Sequence, residues 1–171
     1  PGRRFTRLVG SDMSTKQALE LVGRVPGEPG GRVGYMALNG NHVYLVNADG
    51  LQVVDVSNPA APTVVGSYRP RGDLGPVAAS GQHVYVVADE NCLAVLDASK
   101  PPRLRRVGSS TLPDRLMGLA LTDKHAFVLL SESLHVLDAS DPTALTEVGV
   151  CAGLELAGSV TADGLLAYVA A

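Results

Sequence analysis

Apolar residues fall in short, nearly continuous runs, VYLV at 43–46, VYVV at 84–87 and AFVLL at 126–130, each bracketed by Gly, Asn, Asp, Ser or Pro. Runs this short, rich in β-branched residues and fenced by turn formers, predict strands. A helical reading fails: the 3.6-residue apolar period is missing, and Pro59, Pro62, Pro101, Pro102 and Pro142 would break any helix that formed. Because the central runs are apolar on successive residues, they must be covered on both faces, as in a sheet sandwiched between other sheets.

The pattern repeats. GNHVYLVNADGLQVVDVSNPAAPTVVG at 40–66 returns in recognisable form at 81–108 and 123–149, and the middle run ends each time in Asp-x-Ser: Asp55 and Ser57, Asp97 and Ser99, Asp138 and Ser140. The closing glycines Gly23, Gly66, Gly108 and Gly149 are spaced by 43, 42 and 41 residues. A period near 42 with four strand-like runs per copy predicts the blades of an all-β propeller. Strand A is expected at 33–38, 74–79, 117–121 and 157–161, and strand B at 42–47, 83–88, 125–130 and 165–170. Strand C follows at 51–56, 93–98 and 134–139, and strand D at 18–25, 62–68, 103–109 and 144–150. Asp12, eleven residues before Gly23 and followed by Ser14, places LVGSD (8–12) in the strand C slot of a leading half-blade.

The domain organisation is therefore a half-blade (1–25), three blades (33–68, 74–109, 117–150) and a closing half-blade (157–171), with Tyr168 in the slot of Tyr44, Tyr85 and Phe127. The halves complement each other: four blade equivalents make either a closed four-bladed ring or part of a larger one, in a longer parent or through self-association.

LQVVD (51–55), LAVLD (93–97) and LHVLD (134–138), with the corners Asp55-Val56-Ser57-Asn58-Pro59, Asp97-Ala98-Ser99-Lys100-Pro101 and Asp138-Ala139-Ser140-Asp141-Pro142, resemble the LVIVD-repeat family. Asp12-Met13-Ser14-Thr15-Lys16 departs from it, with Lys16 in place of Pro. The resemblance implies a β-propeller of bacterial or archaeal surface or exported proteins, with no activity attached.

Composition narrows the functional classes. A chain of 171 residues, 46% hydrophobic and 18% charged, is ordinary for a globular protein, and a net charge of -3 gives no general attraction to nucleic acid. Arg3, Arg4 and Arg7 read as a solvated tail. No apolar run approaches the ~18 residues of a membrane span. The sequence begins at Pro1 without a signal-peptide pattern, so a processed product or a piece of a longer protein is expected. Cys92 and Cys151 lie 59 residues apart, match no metal-ligand spacing and are expected as buried thiols.

The repeated acids Asp12, Asp55, Asp97 and Asp138, with Ser57, Ser99 and Ser140, read as turn caps that accept backbone N–H groups, not as a cation-binding ring. His42, His83 and His125 share the first position of strand B, but equivalent positions in adjacent blades lie roughly 10 Å apart, too far for one metal, and Leu166 fills the fourth slot. His135 reads as a local packing variation in the slot of Gln52 and Ala94. No Ser sits in a Gly-x-Ser-x-Gly elbow, and PGEPGGRVG (26–34) lacks the Lys-Ser/Thr ending of a phosphate loop. Neither metal nor cofactor is called for. Arg71-Gly72-Asp73 spells an integrin-recognition tripeptide but reads as a loop.

Alternating strands send the B–C and D–A connections to one face of the disc and the A–B and C–D turns to the other. The second face is repetitive. The first differs in every copy and gathers Arg24, Glu28, Arg32, Asp49, Arg69, Arg71, Asp73, Asp89, Glu90, Asp114, Arg115, Glu132 and Glu155. This mixed-charge rim is the candidate interaction face of a non-enzymatic module that binds a protein partner in a surface or exported assembly. The rival expectation is an enzyme or small-molecule-binding propeller whose central-channel site is completed in a larger ring.

Overall fold

The computed structural model describes residues 3–7, 20–25, 33–70, 72–154, 157–164 and 166–170, and every regular element among them is a β-strand. A first antiparallel pair joins β1 (Arg3–Arg7) to β2 (Glu20–Val25). The first whole blade is β3 (Val33–Asn39), β4 (His42–Asn47), β5 (Gly50–Asp55) and β6 (Thr63–Tyr68). The second is β7 (Leu74–Ser80), β8 (His83–Ala88), β9 (Cys92–Asp97) and β10 (Arg105–Thr111). The third is β11 (Leu116–Leu121), β12 (His125–Leu130), β13 (Ser133–Asp138) and β14 (Thr146–Ala152). A last pair joins β15 (Ser159–Asp163) to β16 (Leu166–Ala170). The fold is the expected all-β propeller architecture of four-stranded antiparallel meanders. The two terminal pairs remain separate two-stranded sheets, so the ring is not closed.

Strands β4, β8 and β12 are buried almost throughout, as their continuous apolar runs require. Tyr44, Val46, Leu51 and Val53 of the first blade pack into one core with Val77, Val84, Val86 and Leu96 of the second. Tyr85, Val87, Leu93 and Val95 form the next core with Ala126, Val128, Leu130 and Leu137 of the third. The second blade thus gives one face to the first and one to the third, and the third gives its other face to the last strand pair through Phe127, Leu129 and Val160. The innermost strands pack in series, β3 on β7, β7 on β11 and β11 on β15.

The registers reveal a device that composition alone does not announce. In every copy the last strand slips by one residue against its neighbour, and the slipped residue is the Val before the closing Gly: Val22, Val65, Val107 and Val148. Gly66 pairs with Val53, Gly108 with Val95 and Gly149 with Val136. In the leading pair Gly23 meets Phe5, so RRFTR, and not LVGSD (8–12), fills the strand C slot. Gly10 and Ser11 weaken LVGSD as a strand, whereas RRFTR offers an uninterrupted extended segment. Arg7 consequently holds the position of Asp55, and Asp12 lies outside the described residues.

The closing glycines are contact points between blades. A Cβ added to Gly66 would come within 2.8 Å of the Pro102 Cα and 2.9 Å of the Pro101 carbonyl oxygen. One added to Gly108 would overlap the Pro142 carbonyl oxygen and lie 3.1 Å from the Thr143 Cα. The proline corners of the second and third blades are each pressed onto the closing Gly of the blade before. At Gly149 the nearest atom among the described residues is the Cβ of Val136 in the same blade, 3.9 Å away.

Gly108→Ala is therefore expected to lower stability by about 1–3 kcal/mol through overpacking against rigid backbone, while Gly149→Ala leaves it nearly unchanged. Urea denaturation of both variants measures the difference, and equal effects would contradict corner docking.

Candidate functional site

The repetitive face is built from the Asp-x-Ser-x-Pro corners. Asp55 Oδ1 accepts the Ser57 backbone N–H at 2.7 Å, Asp97 Oδ1 that of Ser99 at 2.9 Å, and Asp138 Oδ1 that of Ser140 at 2.8 Å. A β-turn with Pro in its second position follows: Ala61 N–H donates to the Asn58 carbonyl, Arg103 N–H to that of Lys100, and Ala144 N–H to that of Asp141. The caps pull each C strand out of its ladder, which is why β5, β9 and β13 end at the Asp, one residue before the apolar pattern predicts. The Ser backbone N–H first, and the Ser hydroxyl second, hold Asp55, Asp97 and Asp138 below their ordinary value of 3.8. Attraction from the histidine directly across the ladder, His42, His83 or His125, adds a smaller contribution in the same direction. The repeated histidines are thus cross-strand partners of the repeated acids. Among the described residues, no three His, Cys, Asp or Glu groups are placed to hold one metal ion.

The variable connections lie at the opposite ends of the strands. Arg69 Nη2 donates to Asp49 Oδ1 at 2.9 Å with both side chains largely in solvent, so this pair contributes little. Asp114 accepts the Arg115 backbone N–H at 2.7 Å and the Ser131 hydroxyl, and the Ser131 bond is the larger cause of its lowered pKa. Asp89 and Glu90 both sit in the left-handed region, at φ 53° and 62°, which ordinary side chains seldom adopt. Their backbone is held on both sides: Asp89 N–H donates to the Asp73 carbonyl at 3.2 Å, and the Glu90 carbonyl accepts the Leu116 N–H at 2.8 Å. The Glu132 carbonyl likewise accepts the N–H groups of Gly153 and Leu154. Backbone bonds from the B–C turns to neighbouring D–A connections thus give the exposed charges a fixed scaffold.

Asp49, Arg69, Asp73, Asp89, Glu90, Asp114, Arg115 and Glu132 all lie on these connections, as their strand assignments require. Arg24 lies in β2, and Arg32, Arg71, Glu28 and Glu155 fall outside the described residues. Of the tripeptide at 71–73, Gly72 abuts the Asp89 carboxylate and Asp73 is exposed.

Three side chains differ from their sequence reading. His135 is a hydrogen-bonding hub rather than a packing variant: only 6% exposed, it places Nδ1 2.5 Å from Glu147 Oε2 and Nε2 3.2 Å from the Ser133 hydroxyl. Ser133 and His135 alternate onto one side of β13, and the bulge at Val148 sets Glu147 opposite Leu137 on that same side. This hydroxyl, imidazole and carboxylate follow the order of a nucleophilic relay, a link invisible in sequence because Glu147 arrives from another strand. Cys151, expected to be buried, is exposed, and Cys92 is half-buried with the Arg106 guanidinium 3.3 Å from its sulfur; both thiols are free. A cleft of about 510 Å³ lies on the repetitive face, between the A–B turns at 121–125 and 162–164.

The LVIVD repeat model matches the chain three times, at residues 30–69, 71–111 and 116–153. No curated protein sequence matches. In structure the chain is similar to the computationally designed Ika4 protein, with a TM-score of 0.68 and 13% identity over 86% of this chain and 90% of that one. It is also similar to the designed Ika8 protein, with a TM-score of 0.67 and 12% identity over 88% of this chain and 46% of that one. A protein from Lactobacillus plantarum follows, with a TM-score of 0.65 and 19% identity over 81% of this chain and 48% of that one. The chain spans about half the length of the latter two, and at such identities the likeness speaks for the fold alone.

The corner acids give a defined acid response. Because their native pKa values lie below 3.8, their stabilisation is present above that value and is lost as pH falls through the lowered native values. Asp97→Ala should lower the melting temperature by a few degrees at neutral pH. Asp97→Asn, which keeps the acceptor but not the charge, should cost less and flatten the acid limb below about pH 4. Thermal melts of both variants from neutral to acid pH check this, and chelator should leave every melt unchanged.

Proposed function

Since the chain belongs to the LVIVD-repeat family, we propose that it is a non-enzymatic interaction module of a surface or exported assembly, with a protein partner seated on its variable face. The single observation that carries this reading is the division of labour between the two ends of the strands. At one end the same corner recurs in every blade, and its Asp, Ser and Pro are committed to caps, turns and contacts with the neighbouring blade. At the other end the connections differ in every copy, the backbones of the second and third B–C turns are tied down, and the acids and arginines project into solvent. A fixed scaffold carrying non-repeating charges suits recognition of one partner, because little is lost in ordering it on binding. Steering by this rim would act mainly on the association rate.

The test compares charge reversals on the two faces. Asp89→Lys with Glu90→Lys should slow capture of a surface-fraction protein by about tenfold at low salt and flatten its salt dependence. Lys100→Glu, on the repetitive face, should leave both unchanged. Lys100 is the clean control because Asn58 and Asp141 also cap their own turns, through the N–H groups of Ala60 and Thr143. The reverse ranking would move the partner to the other face. The Ser133, His135 and Glu147 relay gives the sharpest check on the non-enzymatic reading: a fluorophosphonate probe should leave Ser133 unlabelled, and labelling abolished by His135→Gln would overturn that reading.

A further inference from the structure

We propose that Asn39 is a site of spontaneous deamidation, and that its conversion irreversibly removes a side-chain lock between the first and second blades.

The chain holds five asparagines, Asn39, Asn41, Asn47, Asn58 and Asn91, and Asn39 is the one followed by glycine. Gly40 and Asn41 form the two-residue turn between β3 and β4, with Asn39 paired to His42 across it. Gly40 lies outside both strands, at φ 55°, so its N–H is not tied into the ladder and no side chain of its own shields it. Those are the demands of the reaction. The Gly40 backbone nitrogen attacks Asn39 Cγ and gives up its proton, while the carboxamide nitrogen leaves as ammonia. A five-membered succinimide ring then joins residues 39 and 40, and one water opens it at either carbonyl to leave aspartate or isoaspartate. Water is the only co-reactant.

The carboxamide has a partner in the folded chain. Asn39 Nδ2 donates to the Gly81 carbonyl at 2.7 Å, which ties the A–B turn of the first blade to that of the second. Ser80 and Thr122 hold the same slot in the next two blades, and among the described residues neither bridges to the following A–B turn. Between the A–B turn at 121–125 and that at 162–164 the cleft stays open. The first junction thus carries a polar lock that the later ones lack.

Cyclisation needs Asn39 Cγ brought onto the Gly40 nitrogen, which the bond to Gly81 and the hairpin pairing with His42 both oppose. Reaction therefore proceeds from molecules in which the first blade has lifted from the second, and its rate follows the population of that open form. The product cannot relock. An aspartate carboxylate has acceptors only, so it would face the Gly81 carbonyl oxygen against oxygen, and isoaspartate adds a methylene to the backbone of the turn. Each opening that ends in conversion is retained as a one-way loosening of this junction.

The full chain, held in mildly alkaline buffer and then digested for mass spectrometry, should convert at Asn39 while Asn41, Asn47, Asn58 and Asn91 stay amides. Gly66→Ala, which would press on Pro101 and Pro102 at this same junction, should speed conversion about fivefold or more, because the open population rises as docking is lost. Gly108→Ala, at the next junction, should leave the rate unchanged. Should Gly66→Ala fail to fold, urea below the unfolding midpoint takes its place, and the rate at Asn39 should rise with urea. Asn39→Asp should lower the melting temperature by a few degrees, and by more than Asn39→Ala, which loses the donor without adding a charge. An Asn39 that stays an amide, equal rates in the two glycine variants, a rate indifferent to urea, or an Asn39→Asp variant as stable as the wild type would each overturn the proposal.

Discussion

The contact on which this structure depends is the proline corner of one blade resting on the closing glycine of the blade before it. A sheet can pack on another through apolar faces alone, but such packing tolerates sliding. Here the backbone at Pro101 and Pro102 approaches Gly66 so closely that a single methyl group would be excluded, and Pro142 approaches Gly108 more closely still. That approach fixes where along its length each blade meets the next. The Asp cap, the Ser that donates to it and the Pro that follows have to recur because together they shape the object that fits beside the glycine. At Gly66 and Gly108 any side chain would hold the blades apart.

Much of this was legible in the sequence for a physical reason: local rules govern most of it. Apolar runs bracketed by turn residues located β4, β8 and β12 to the residue, and Asp followed by Ser and Pro announced a cap and a turn within a few positions of itself. What escaped depended on residues far apart in the chain. The closing glycines could be aligned, yet their role lies in a contact with a corner some 35 residues later (Gly66 to Pro101). His135 looked like a substitution in an apolar slot, because its partner Glu147 is delivered by another strand. LVGSD matched the repeat by counting back from Gly23, but counting assumes a constant C–D turn, and the leading pair forms its ladder with RRFTR instead. Cys151 illustrates the same limit: its exposure follows from what covers β14, not from its own neighbours in sequence.

The candidate face was legible in another way. Repetition itself separated the residues that build blades from those free to vary, and the structure adds that the variable turns are anchored by backbone hydrogen bonds while their side chains stay outside. Asp89 and Glu90 make the point: two consecutive non-glycine residues with positive φ carry conformational strain, and the bonds to Asp73 and Leu116 hold them there. Two-residue turns with positive φ take Asn-Gly, Asp-Gly or Gly-Gly most readily, so Asp89 suits its position and Glu90 is the strained residue. The bond from the Leu116 N–H to the Glu90 carbonyl therefore acts on the residue that bears the strain.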